Sequence, residues 1–143
     1  RGKGGLVSLS KKHATAKNWI ERLNIKPGYP DMAVQKLSGG NQQRVVIAKW
    51  LATDPKILFI DEPTNGIDVG AKAEIHALMR KLASQGMAIV MVSSEMTEVL
   101  SISDTILVMR RGRINGVFDG VNATQEDLLN VAILSQSKKE GVG

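Results

Sequence analysis

LSGGNQQR, Leu37 to Arg44, followed by ILFIDEPTNGID, Ile57 to Asp68, decides how this chain folds. The first stretch sets a Ser-Gly-Gly turn directly ahead of a helix. Ser38 is a good N-cap, its hydroxyl oxygen able to accept a bond from an unpaired backbone N–H. Gly39 and Gly40 lack side chains, so a ligand can approach that backbone closely. The helix is expected from Asn41 to Ala52, a run free of Gly and Pro until Pro55. A helix N-terminus with bare N–H groups attracts anions, phosphate foremost. Taken alone, the stretch is better explained as a capped helix after a flexible turn.

The second stretch adds chemistry. Ile57 to Ile60 is a short unbroken apolar run after Pro55, the pattern of a strand buried on both faces. It ends in Asp61 and Glu62, and Pro63 stops it. Carboxylates at the C-terminal end of a parallel strand sit where open α/β sheets bind ligands. Asp61 is suited to hold Mg²⁺ through water, because magnesium prefers oxygen ligands and keeps part of its hydration shell. Glu62 is suited to orient or deprotonate a water attacking a γ-phosphate.

In this order and at this spacing, the two stretches resemble the nucleotide-binding domain of ABC transporters. The resemblance makes Leu37, Ser38, Gly39, Gly40, Asn41 and Gln42 part of the signature motif, and ILFIDE the Walker B strand. Asn65, Gly66 and Asp68 then fall in the D-loop. It implies an α/β fold, a partial P-loop NTPase core (RecA-like, ABC-type) of mainly parallel strands flanked by helices, with part of the helical subdomain. ATP and Mg²⁺ are the implied ligands, with Asp61 as the metal residue and Glu62 as the catalytic carboxylate. Asn41, DVGAK (Asp68 to Lys72) and the segment Val92 to Ile114 narrow it to bacterial monosaccharide importers, whose ATPases carry two such domains in tandem. This chain is similar to the second of them. Residues 1–50 then hold the helical-subdomain segment and signature helix. Residues 51–120 hold the Walker B, D-loop and switch-strand core, and 121–143 a C-terminal helix and frayed tail.

No G-x-x-x-x-G-K-[ST] run, the pattern that cradles phosphates, occurs in the sequence. Arg1 to Gly5 has a Lys among glycines but no Ser or Thr after it, and Arg1 to Val7 resembles the stretch that follows the family's Q-loop. A C-terminal part of one ATPase domain, lacking the P-loop, is therefore expected, inactive by itself. In the family's sheet the P-loop strand lies between the strands expected here at Met87–Val92 and Thr105–Met109. Its loss leaves unpaired edges, so self-association is expected.

The 143 residues suffice for one core, and 43% apolar composition argues against disorder. No run reaches transmembrane length, and no signal peptide is recognisable. The absence of Cys excludes disulfides and thiolate metal sites. His13 and His76 lie on helical segments without metal-ligand spacing, and read as surface residues. The net charge of +5 is scattered over short clusters such as Lys11-Lys12 and Arg110-Arg111, with aromatics at only 3%, so a solvated surface fits better than a nucleic-acid groove.

By resemblance, the partners are a second ATPase domain, transmembrane permease subunits and, indirectly, a periplasmic sugar-binding protein. The place is the cytoplasmic face of the inner membrane. Two other classes compete: an ABC-type ATPase acting on nucleic acid or ribosomes, and a non-catalytic module completing another domain's site.

Further elements are expected as follows. Ser10 caps a helix from Lys11 to Leu23. Asp68 caps one from Val69 to Gln85 whose Ile75, Leu78, Met79 and Leu82 form an apolar stripe, with Gly86 as its stop. A strand at Met87 to Val92 completes a βαβ unit. Ser94 caps a helix from Glu95 to Ile102. Arg111-Gly112-Arg113 turns Thr105–Met109 into a strand at Ile114–Phe118, and a last helix runs from Thr124 to Leu134. Most ABC ATPases carry a His at the position aligned with Ser94. Serine reaches less far and carries no charge, so the site served by Asp61 and Glu62 is expected to be degenerate.

Overall fold

The computed structural model describes residues 9–134, so the expectations for Arg1 to Val7 and for the tail from Ser135 lie outside the described residues. The chain divides into two compact units, one up to Val92 and one from Ser93.

The first unit holds α1 (Leu9–Arg22), a short 3₁₀ turn (Val34–Lys36), α2 (Gly39–Leu51), β1 (Ile57–Asp61), α3 (Val69–Ser84) and β2 (Ala88–Val92). β1 and β2 pair in parallel, Ile57 opposite Ala88 through Asp61 opposite Val92, so the strand–helix–strand unit forms as its pattern predicts. Ile47, Ala48 and Leu51 of α2, Leu58 and Ile60 of β1, and Ile75, Met79 and Leu82 of α3 make its core. Ile75 is 0% exposed. The helical stripe on α3 is thus the one its 3.6-residue period foretells. Asp68 caps this helix, its Oδ1 accepting from Ala71 N–H at 2.9 Å. Gly86, at φ +92°, lies just beyond its end.

Three expectations need correction here. β1 is not buried on both faces: Leu58 and Ile60 point inward, whereas Ile57 is 54% and Phe59 73% exposed. Ala88, Val90 and Val92 of β2 are exposed as well, so the sheet keeps one open apolar face. An unbroken apolar run says that both faces are to be covered, and the described residues cover only one. The signature helix starts at Gly39, two residues before Asn41, so both glycines are helical. Leu9 and Ser10 are both helical in α1, which puts Ser10 inside the helix rather than at its cap.

The second unit holds α4 (Met96–Ile102), β3 (Thr105–Arg110), β4 (Arg113–Asp119) and α5 (Gln125–Leu134). β3 and β4 form an antiparallel hairpin with a bulge after Val108. Its two turn residues, Arg111 at φ +48° and Gly112 at φ +74°, both take the left-handed conformation. That is the type I′ geometry whose twist suits a tight hairpin. Ile106 and Leu128 are buried in this unit, together with the carboxylate residue Glu98. At the start of α5, Thr124 and Asp127 bond reciprocally: Thr124 N–H donates to Asp127 Oδ2 at 2.9 Å and Asp127 N–H to Thr124 Oγ1 at 3.2 Å. The Thr124 hydroxyl, and then its N–H, hold the Asp127 carboxyl below its ordinary pKa.

Candidate functional site

The turn at Leu37–Gln42 is built by its own side chains. Leu37 is buried and anchors the turn. Ser38 is extended (φ −61°, ψ 155°) and α2 begins immediately after it. Asn41 sits between two groups. Its Oδ1 accepts from Lys26 N–H at 2.9 Å, which leaves its Nδ2 to donate to Ser38 Oγ at 2.9 Å. Gln42 Nε2 donates to the Leu37 carbonyl at 2.9 Å. Asn41 and Gln42 therefore brace the turn from within.

Ser38 holds the N-cap position of α2, but its side chain makes no cap bond, contrary to expectation; its hydroxyl oxygen accepts from Asn41 instead. The first N–H groups of α2 consequently have no side-chain cap. The hydroxyl still has a proton to donate outward. Ser38 and Gly39 are exposed while Gly40 is buried. An exposed helix start and a donor hydroxyl form a fitting seat for a phosphate oxygen.

β1 delivers Asp61 to its C-terminal end, exposed, as the last strand residue. Glu62 follows in the left-handed region at φ +46°, half-buried, with its N–H donating to Val92 O at 2.8 Å. A non-glycine residue in this conformation carries backbone strain, which persists only when neighbours enforce it. Here Pro63 and Thr64, both nearly fully buried, do so. Asn65 N–H then donates to Glu62 O at 3.2 Å, and Gly66 turns the chain at φ +72° toward Asp68. An exposed carboxylate at a strand end, as Asp61 is, suits the hydration shell of Mg²⁺.

The structure brings Gly39 and Gly40 against Gly66, Ile67 and Ala71, so the turn at residues 37–42 and the loop at residues 65–68 form one surface within the first unit. Ser94 belongs to the second unit and is exposed. It does not cap α4: Glu95 holds the cap position, and Ser93 Oγ accepts from Glu95 N–H at 3.0 Å. Ser93 in turn donates to Glu98 Oε2 at 2.5 Å. Sequence reasoning missed Ser93 and Glu98 because adjacent serines are interchangeable as caps in sequence. It also missed Arg44, buried in α2, which donates to Asn24 O at 2.7 Å and pairs with Glu74 of α3.

His13 pairs with Asp31 at 2.7 Å, and no group of metal-binding side chains occurs among the described residues. A cavity of about 470 Å³ opens between α1, the following loop and α2, lined by Trp19, Ile20 and Val45 with Lys11 and Lys49. Its walls are apolar, and it is not built for phosphate. No helix among the described residues is long and apolar enough to cross a membrane.

The sequence profile of the ABC transporter family matches residues 4–65. A ribose import ATP-binding protein of Rhizobium meliloti (strain 1021) is 45% identical over 139 residues, covering 97% of this chain and 28% of the relative. A ribose import ATP-binding protein of Streptococcus agalactiae serotype Ia is 55% identical over 113 residues, covering 79% of this chain and 23% of the relative. The chain thus spans about a quarter of the length of the curated relatives it matches. Among solved structures, a dimeric ATP-binding cassette in a post-hydrolysis state with ADP and Pi superposes with a TM-score of 0.67 at 26% identity, over 81% of this chain and 50% of that one.

Proposed function

Because the chain belongs to the ABC transporter family, we propose that it forms part of the energy-coupling ATPase of a bacterial monosaccharide importer. The names of its relatives make ribose the first sugar to test. The observation that carries this reading is the uncapped signature turn, with its donor hydroxyl and exposed helix start standing on the D-loop.

Two such domains close head to tail, and each ATP is held by one domain's P-loop and met by the other's signature. Ser38, Gly39 and Gly40 face the γ-phosphate of a nucleotide held by the partner domain. Ser38 donates its hydroxyl proton and the first N–H groups of α2 supply positive potential. Asp61 would hold Mg²⁺ through water at the domain's own nucleotide, and the metal, when bound, would supply charge neutralisation to the phosphates. Glu62 orients the attacking water, and Ser94, in the place of the usual His, weakens that site. Asn65, Gly66 and Asp68 shape the D-loop between the two.

Residues 1–50 serve as helical subdomain and signature helix, 51–120 as core, and 121–143 as a C-terminal extension. The permease subunits receive the domain at the cytoplasmic face of the inner membrane, and the periplasmic binding protein acts through them. The scattered basic charge gives the nucleic-acid reading no comparable support.

The test is Ser38→Arg in the complete ATPase. It places a bulky side chain where phosphate must sit, and transport and ATP turnover are expected to vanish while the circular-dichroism spectrum is unchanged. Normal sugar import by this variant refutes the assignment.

A further inference from the structure

The glycines of the signature turn have a second reason to be glycines. A Cβ on Gly40 would stand 2.7 Å from the Ala71 Cβ and 3.7 Å from the Ala71 Cα. A Cβ on Gly39 would stand 2.9 Å from Ile67 Cγ2. The first distance is far below van der Waals contact, and both atoms sit directly on backbone, so only a shift of α2 against α3 relieves it. The second is set by a branched side chain of the D-loop.

Further contacts along the two helices oppose that shift. Ala71 is pinned on its own side, since its N–H donates to Asp68 Oδ1 at 2.9 Å. One helical turn further along the same seam, Arg44 of α2 pairs with Glu74 of α3. Gly40 and Arg44 are four residues apart and Ala71 and Glu74 three apart, so each pair shares one helix face. The seam therefore carries two contacts, a close small-residue contact at its start and an ion pair with the exposed Glu74 at its second turn.

We propose that Ala71, in the DVGAK segment, is a positioning residue that keys the signature turn onto the D-loop, so that Ser38–Gly40 and Asn65–Asp68 move as one body. This rests on the reading that Ser38–Gly40 face a nucleotide held by the partner domain. Engagement of that phosphate is then passed to the segment directly downstream of Glu62. The device explains why a small residue stands at 71, for which phosphate chemistry gives no reason. A larger residue at 71 lifts the signature turn away from the D-loop.

The experiment is a size exchange in the complete ATPase, with kcat, KM for ATP, nucleotide affinity of the P-loops and melting temperature read together. Gly40→Ala is expected to lower kcat at least tenfold with nucleotide affinity unchanged within twofold. Adding Ala71→Gly removes the atom 2.7 Å away and leaves only the 3.7 Å contact, an ordinary one. The double variant is expected to recover kcat to within threefold of Ala71→Gly alone, which controls for the lost helix propensity. If Gly40→Ala fails to fold, recovery of folded, active protein in the double variant supports the proposal equally, and a double variant that also fails to fold overturns it. Ala71→Val, with Gly40 intact, is expected to lower kcat while nucleotide affinity holds. A double variant as inactive as Gly40→Ala overturns the proposal, because the glycine is then required by the ligand and not by Ala71. A kcat unaffected by Ala71→Val overturns it as well. Ser38→Arg, made in both backgrounds, separates the two readings: it inactivates both if the signature assignment holds, whatever the exchange shows.

Discussion

Arg44 is the residue whose removal says most about what holds the first unit together. Its side chain is 10% exposed, while that of its partner Glu74 is 63% exposed. The guanidinium also donates to the Asn24 carbonyl at 2.7 Å, tying α2 to the turn after α1. These two partners are unequal. Glu74 rehydrates when Arg44 is truncated, so the pair contributes under about 1 kcal/mol. The charged donor on a backbone carbonyl contributes about 1.5–3 kcal/mol, and the buried stem adds packing. Arg44→Ala is therefore expected to cost about 3 kcal/mol and Glu74→Ala less than about 1 kcal/mol. In urea, with slopes of about 1–3 kcal/mol/M, Arg44→Ala moves the midpoint by about 1–3 M. The assay is urea unfolding of both single variants and the double variant, followed by circular dichroism. Equal losses from the two single variants, with a coupling above about 2 kcal/mol, would show that the ion pair dominates and would refute this apportioning.

Other outcomes follow from the same geometry. In the complete ATPase, Glu62→Gln is expected to lower turnover modestly while the matching change in the other domain nearly abolishes it; equal losses would show that Ser94 does not mark a degenerate site. These 143 residues alone, having no phosphate-cradling Gly-Lys loop, are expected to give no saturable heat with millimolar Mg-ATP, and a micromolar dissociation constant refutes that. The open sheet face at Ile57, Phe59, Val90 and Val92 should make the same chain associate, and sedimentation as a monomer at tens of micromolar counts against it. Asp127 should titrate below the ordinary value of 3.8. Because its folded pKa is depressed, its contribution to α5 is present above that ordinary value and fades as pH falls through the lower folded one. Carboxyl NMR checks this: Thr124→Ala should return the group to its ordinary range, and an unchanged titration sinks the idea.

Much of the fold was legible because its signals are local. The α3 stripe, the Asp68 cap, the Gly86 stop and the Arg111-Gly112 turn each depend on residues within a few positions of one another, and each sits where its pattern places it. What local pattern does not carry is what lies opposite. Phe59 in an apolar run reads as core, but its exposure depends on which segment covers that face. Ser10 and Ser94 each have cap chemistry, yet Ser10 lies inside α1 and Ser93 takes the bond at α4. A cap is chosen by backbone geometry among neighbours of equal chemistry, and nothing in the residue letters separates them.

The site was legible in its residue types and hidden in its partners. Ser-Gly-Gly before a helix signals a phosphate seat because glycine lets a ligand approach, and that inference uses only the absence of a side chain. The same absence lets α2 close on α3, with the sequence-distant Ala71 filling the space. One residue type answers to two causes, and sequence reasoning sees only the one whose ligand it already has in mind. Asn41 is subject to the same ambiguity. In the motif it reads as a contact to nucleotide, yet its amide oxygen accepts from Lys26 and its amide nitrogen donates to Ser38. Its effect on a phosphate is exerted through the orientation of the Ser38 hydroxyl. Asn41→Ala should therefore act as a weaker form of a Ser38 change, because it frees the hydroxyl to turn back and cap the helix instead of facing outward. Steady-state ATP turnover of the complete ATPase checks this: a partial loss of kcat is expected, and a loss as complete as that of Ser38→Arg would mean that Asn41 meets the nucleotide directly.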